Sequence, residues 1–150
     1  MSRVLVSSGS YLEPVIGFSR AVRVGDIVTV AGTAPIAAGG GTEGVGDPAA
    51  QARRIIAIAR AALEEAGASL ADVVRTRILL TDRAQWSEVA RVHGEAFGAI
   101  RPACTVMVIA GFVDPDWLVE MEFDAVAGRP ASGGAGSGAD AAVDPGADRD

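Results

Sequence analysis

Residues 119–125, VEMEFDA, alternate strictly between apolar and acidic side chains. Successive side chains of a strand point to opposite faces, so this pattern predicts a strand with one buried face and one charged face. The side chains predicted to face the core are Val119, Met121, Phe123 and Ala125. Glu120, Glu122 and Asp124 then share the opposite face. The chain must therefore build a sheet that its own helices cover on one side.

Other apolar and β-branched runs predict further strands. They cover residues 3–8, 73–81, 104–110 and 118–126. Residues 21–32, AVRVGDIVTVAG, predict two strands joined by a turn at Gly25-Asp26. The Gly-rich segment that follows lacks the strand-then-helix spacing of a phosphate-binding loop, so we interpret it as a mobile connection.

Two amphipathic segments predict helices. The first begins after Asp47, which is suited to be the N-cap, with Pro48 at the first helical position, and ends near Gly67. Its apolar stripe comprises Ile55, Ile58, Ala59, Ala62 and Leu63. The second runs from Asp82 to Phe97, with Trp86, Val89, Ala96 and Phe97 on one side. The order β-β-β-α-β-α-β-β predicts an α+β fold, one sheet with both helices on one face.

The helix-free face of this sheet is too apolar to lie in water. Residues 105–109 are apolar on both faces, and Leu79 shares the face of Arg75 and Arg77. We therefore expect another subunit to cover this face.

Composition divides the chain into a domain, residues 1–130, and a flexible Ala/Gly/Asp-rich tail, residues 131–150. The tail carries four Asp and one Arg, which is half of the net charge of −6. No spanning apolar run and no secretory signal is present, so we expect a cytoplasmic protein without a membrane partner.

The charged residues exclude several classes of function. A net charge of −6 with no basic run argues against nucleic-acid binding. All 13 basic residues are Arg, so no lysine is present for Schiff-base chemistry. The single His and single Cys exclude multi-histidine metal sites and an internal disulfide, and we expect no metal and no cofactor.

Three segments carry a family resemblance: residues 21–35, 64–82 and 101–127. In this order they resemble the Rid family, the YjgF-like reactive-intermediate deaminases, over residues 3–127. The resemblance implies a chorismate-mutase-like fold, a homotrimer, and ligand clefts between subunits. It also implies hydrolysis of reactive 2-imino and enamine acids to 2-oxo acids and ammonia without a cofactor.

The resemblance also implies roles for particular residues. Glu120 matches the glutamate that holds the attacking water, and Gly32 and Thr33 match the backbone segment that lines the cleft. Phe18 lies at the position of a tyrosine and lacks its hydroxyl. Cys104 lies where the archetype has the arginine that grips the substrate carboxylate, a contact that a thiol cannot replace.

The residues leave alternatives open at three of these positions. Glu120 is a cleft carboxylate, a structural partner of Arg75 or Arg77, or a half-exposed strand carboxylate. Cys104 is either a strand thiol lining a cleft or a nucleophile, although no histidine is placed to activate it. Arg101 is either a solvated loop residue or a replacement for the missing anchor.

These observations lead to two hypotheses of function. The first is an imine or enamine hydrolase of the Rid type with altered substrate preference, in which archetypal 2-imino acid deamination is weak or absent. The second is a non-catalytic protein that binds small metabolites, with a role as an accessory enzyme of a biosynthetic pathway as a third reading. We discount a ribonuclease activity, because the sequence predicts no basic groove.

Overall fold

The computed structural model describes residues 2–128, whose strands form one mixed sheet. The strands are β1 (Arg3–Val6), β2 (Ala21–Val24), β3 (Ile27–Thr33), β4 (Val73–Leu80), β5 (Ala103–Val108) and β6 (Val119–Val126). Their spatial order is β1-β2-β3-β6-β4-β5, antiparallel throughout except for the parallel pair β4–β5. The predicted tail, 131–150, lies outside the described residues.

The predicted hairpin is present, with Gly25 and Asp26 as the two residues between β2 and β3. Gly25 has a φ of 59°, a left-handed conformation that glycine adopts without steric cost. The turn fixes the pairing of Ala21 with Val30. It therefore brings the start of β2 beside the end of β3, where the candidate site lies.

The helices are α1 (Leu12–Ile16), α2 (Pro48–Glu65) and α3 (Trp86–Phe97). The predicted bounds of α2 are confirmed: Asp47 accepts a hydrogen bond from the Ala50 amide, and Gly67 follows the helix with φ 75°. A 3₁₀ turn at Arg83–Gln85, capped by Asp82, precedes α3. The sequence did not predict α1, a single turn that carries the buried Glu13.

The core lies between the sheet and the two long helices, so the predicted α+β architecture is confirmed. Val119, Met121, Phe123 and Ala125 are all buried, as the alternation of β6 requires. The helices supply the opposing surface, which includes Ile55, Ala59, Ala62, Leu63, Val89 and Phe97.

Two residues of the predicted helix stripes are not fully buried within one chain. Trp86 is 46% exposed. It is the first residue of α3, and helical side chains tilt toward the N-terminus, so it projects beyond the packed turns. Ile58 is only partly buried, because it lines a cavity beside α2.

The open face of the sheet carries exposed apolar side chains. Leu5, Val24 and Ile27 lie on this face and are 39–60% exposed. The edge strand β5 adds Met107 on the open face and Val108 on the helix side, both exposed. No helix within residues 2–128 is long and apolar enough to cross a membrane.

Candidate functional site

The site is centred on Glu120, which β6 presents on the open face of the sheet. Glu120 pairs across the ladder with Leu79 of β4, and its neighbour Met121 pairs with Thr33 of β3. Between Val30 and Thr33 the ladder between β3 and β6 shifts register. Gly32 lies in this irregular stretch, and a Cβ atom added to it would lie 2.9 Å from Glu120 Oε2. The carboxylate therefore rests against the Gly32 backbone, at a distance that only glycine permits.

The environment of Glu120 makes it unlike an ordinary surface carboxylate. Burial raises its pKa, the positive charge of Arg20 opposes this rise, and Glu122 adds to it. Within residues 2–128 the carboxylate makes no hydrogen bond and no ion pair, and neither oxygen is both buried and unpartnered. Its oxygens are therefore available to a water molecule or a ligand.

The other two acidic side chains of β6 share one ion-pair partner, Arg77. Arg77 Nη1 donates to Glu122 Oε2 at 3.0 Å and to Asp124 Oδ2 at 3.4 Å. The alternative that Glu120 pairs with Arg77 is therefore wrong, because Arg77 lies opposite Glu122 in the ladder. The alternation predicted the face of all three carboxylates, but only the register distinguishes the unpaired one.

Arg20 is a part of the site that the sequence analysis missed. Its side chain is only 4% exposed, and Nη1 donates to the Gly32 carbonyl at 2.7 Å and to Thr33 Oγ1 at 3.1 Å. Burial lowers its pKa, whereas the charges of Glu13 and Glu120 raise it. An arginine directly before β2, at the base of the predicted hairpin, was the available signal. No neighbouring residue in the sequence indicated that Arg20 would be buried.

Two predicted cleft residues support Arg20. The guanidinium lies over the ring of Phe18, 5.2 Å from its centroid. Thr33 is buried, and its hydroxyl donates to the Ala31 carbonyl at 2.7 Å. Gly32, Thr33 and Phe18 are thus brought together around Arg20, beside Glu120.

Cys104 and Arg101 are not brought to Glu120 within one chain. In the parallel ladder Cys104 pairs with Thr76, whose side chain faces the helices, so its thiol lies on the side opposite Glu120. Cys104 is exposed on an edge strand. Arg101 is exposed in the preceding loop, with a left-handed φ of 56°. A cleft containing Cys104 and Glu120 therefore requires two subunits and stays a prediction.

His93 has a structural role within the chain. Its Nε2 lies 2.9 Å from Thr76 Oγ1, and its ring packs on Phe97 with centroids 4.7 Å apart. Burial lowers its pKa, which favours the neutral imidazole. Within residues 2–128 no group of His, Cys, Asp or Glu side chains is arranged to hold a metal ion.

Gln51 was also missed, although it lies on the apolar stripe of α2, four residues before Ile55. It is fully buried, and its Nε2 donates to the carbonyls of Gly44 and Asp116 at 3.1 and 2.8 Å. Its Oε1 accepts a hydrogen bond from the Leu118 amide at 2.8 Å. Gln51 thereby holds the chain two residues before Glu120.

Known proteins share this fold and much of this sequence. A family model described as endoribonuclease L-PSP matches residues 9–127. The structure of a Mycobacterium tuberculosis member of the YjgF/YER057c/UK114 family is 47% identical, with a TM-score of 0.76, and the match covers 84% of this chain and all of that one. The chain belongs to this family, which is the Rid family of the sequence analysis.

Two sequence relatives carry the name RutC. The 3-aminoacrylate deaminase RutC of Acinetobacter baylyi is 35% identical, over 72% of this chain and 85% of that protein. A RutC family protein of Pyrococcus abyssi is 36% identical, over 81% of this chain and 95% of that protein. The predicted family and fold are thus confirmed, whereas the roles of individual Rid-family positions stay predictions.

Proposed function

We propose that this Rid-family protein hydrolyses small imines or enamines to a carbonyl compound and ammonia, with Glu120 holding the attacking water. The observation that carries the proposal is the half-buried Glu120 carboxylate, unpaired within residues 2–128 and resting against Gly32. The deaminase activity in the name of the Acinetobacter relative supports the reaction class.

The reaction needs only what the site provides. Glu120 accepts a hydrogen bond from water and orients its oxygen toward the carbon of the C=N bond. An enamine first tautomerises to the imine as a proton moves from nitrogen to the β-carbon. The water oxygen adds to the C=N carbon and the two protons of water pass to nitrogen. The C–N bond then breaks as the C=O bond forms, and ammonia leaves. No electron is transferred, so the reaction proceeds without a redox cofactor.

We infer that the working cleft lies between subunits of a homotrimer. The exposed apolar side chains of the open face support this, because a monomer would leave them in water. In such a cleft Cys104 of one subunit lines the pocket that contains Glu120 of another. With Cys104 instead of arginine, the cleft favours imines that carry no carboxylate over amino-acid-derived ones.

The test compares Glu120→Gln with Glu122→Gln, measuring ammonia release from imines generated in the assay. Both changes remove one negative charge from the same face, but only Glu120 is unpaired. We expect Glu120→Gln to lose at least about a hundredfold in kcat/KM and Glu122→Gln to retain most activity. Equal losses would contradict the role of Glu120. No ammonia release by the intact wild type would instead indicate the non-catalytic binding protein.

The pH dependence provides a second readout. Glu120 acts as a carboxylate, so activity falls as the pH drops through its pKa. Burial raises that pKa, so the acid limb should lie above the ordinary glutamate value of about 4.3. A fall in activity centred at or below that pH would show that another group controls the reaction.

A further inference from the structure

A cavity of about 370 Å³ lies within the chain, between the loop after β1, the end of β3 and helix α2. Its volume is within the range of small-molecule sites. It shares Arg20 and Thr33 with the candidate catalytic site, whereas Glu120, Gly32 and Phe18 are not among its lining residues.

Cationic and polar groups line one part of this cavity. They are Arg20, Arg54, Ser8, Ser10, Tyr11 and Thr33. No Asp or Glu lines it. The cavity thus presents two guanidinium groups without a carboxylate on its walls.

Both arginines have N–H donors that make no hydrogen bond within residues 2–128. Arg20 is 4% exposed, and Nε and Nη1 are bonded to Ser8, Gly32 and Thr33. Its Nη2 makes no hydrogen bond within residues 2–128. Arg54 uses its Nε for the Ile36 carbonyl at 2.6 Å and for Glu43 at 3.3 Å, and its terminal nitrogens have no partner there.

The structure therefore assigns a binding site for a small organic carboxylate to this cavity. The carboxylate accepts hydrogen bonds from the free nitrogens of Arg20 and Arg54, assisted by the nearby hydroxyls. Ala34, Ile36 and Ile58 line the remainder and are suited to a short apolar tail. Inorganic phosphate has no such tail, so a carboxylic acid fits better.

Within residues 2–128 no side-chain nitrogen or oxygen is both fully buried and unpartnered. The unbonded donors of Arg20 and Arg54 are therefore accessible to a bound anion. Arg20 also contacts the Gly32 carbonyl, behind which Glu120 lies.

The experiment titrates the intact protein with butyrate, formate and inorganic phosphate at constant ionic strength, by calorimetry and by amide NMR shifts. We expect butyrate to bind more tightly than formate or phosphate, with shifts at residues 8–11 and 34–40. Arg54→Gln should weaken butyrate at least tenfold, since hydrogen bonds to charged groups are the strong ones. Ile58→Trp should block binding by filling the cavity without removing a charge.

Glu120→Gln separates this proposal from the proposed function, because it should abolish imine hydrolysis and leave butyrate binding intact. The carboxylate site is overturned if the folded wild type does not bind butyrate at millimolar concentration. It is equally overturned if phosphate binds more tightly, or if Ile58→Trp and Arg54→Gln both leave butyrate affinity unchanged. Arg20→Lys, checked for folding by circular dichroism, should weaken binding in the same direction.

Discussion

At the scale of single residues, three carboxylates on one strand have two different environments. Glu122 and Asp124 share the guanidinium of Arg77, which offsets part of their negative charge at the surface. Glu120 lies two residues before Glu122 on β6 and is opposite Leu79. It makes no ion pair within residues 2–128, and the positive charge that lowers its pKa is that of Arg20. The neighbour across the ladder, rather than the residue type, determines which carboxylate remains available for chemistry.

Gly32→Ala tests the contact between the backbone and Glu120. The new Cβ would meet Oε2 at 2.9 Å, which is the end of a flexible side chain that can move away at low cost. We expect kcat/KM for imine hydrolysis to fall at least about tenfold, since small misplacements of a catalytic group are costly. The free energy of unfolding should change by less than about 1 kcal/mol.

Gly111→Ala is the matched control for this substitution, because its added Cβ meets nothing within 4 Å. Enzyme kinetics and denaturant unfolding of both variants supply the comparison. Full activity in Gly32→Ala would show that the position of Glu120 does not depend on this contact.

At the scale of elements, α2 does more than cover the sheet. Its buried Gln51 makes three hydrogen bonds to two backbone segments, one at Gly44 and one that contains Asp116 and Leu118. Two of these bonds lie in the connection that enters β6. The helix therefore fixes where β6 begins, and with it the position of Glu120 along that strand.

Gln51→Met should destabilise the protein by at least about 2 kcal/mol, because it leaves buried carbonyl and amide groups without partners. Denaturant unfolding at one protein concentration measures this cost. Gln85→Met is the control, since Gln85 bonds only at the partly exposed turn before α3. A loss of stability no larger than that of the control would show that water replaces the three hydrogen bonds.

At the scale of the whole molecule, the helices cover one face of the sheet, and no element within residues 2–128 covers the other. The helix side is a closed core, whereas Leu5, Val24, Ile27 and Met107 are exposed on the other side. The edge strand β5 is apolar on both faces. A homotrimer that covers these surfaces is the assembly that we propose.

Met107→Glu should convert the trimer to smaller species, because it places an unpaired charge in the proposed interface. Sedimentation equilibrium of the intact chain at micromolar concentration measures the mass. Val45→Glu is the control, since Val45 is exposed in the Gly-rich loop. A wild type that sediments as a monomer would remove the intersubunit cleft, and with it the role of Cys104.

The features that the sequence determined by itself are local ones. The face of Glu120 follows from the period of a strand, and the bounds of α2 follow from Asp47 and Gly67, whose preferences act within one turn. Only the tertiary structure decided which distant groups meet. The parallel register of β4 and β5 places Cys104 beside Thr76. Gln51 reaches Leu118 across 67 positions of the chain. These contacts depend on pairings between segments far apart, for which a single sequence carries no periodic signal.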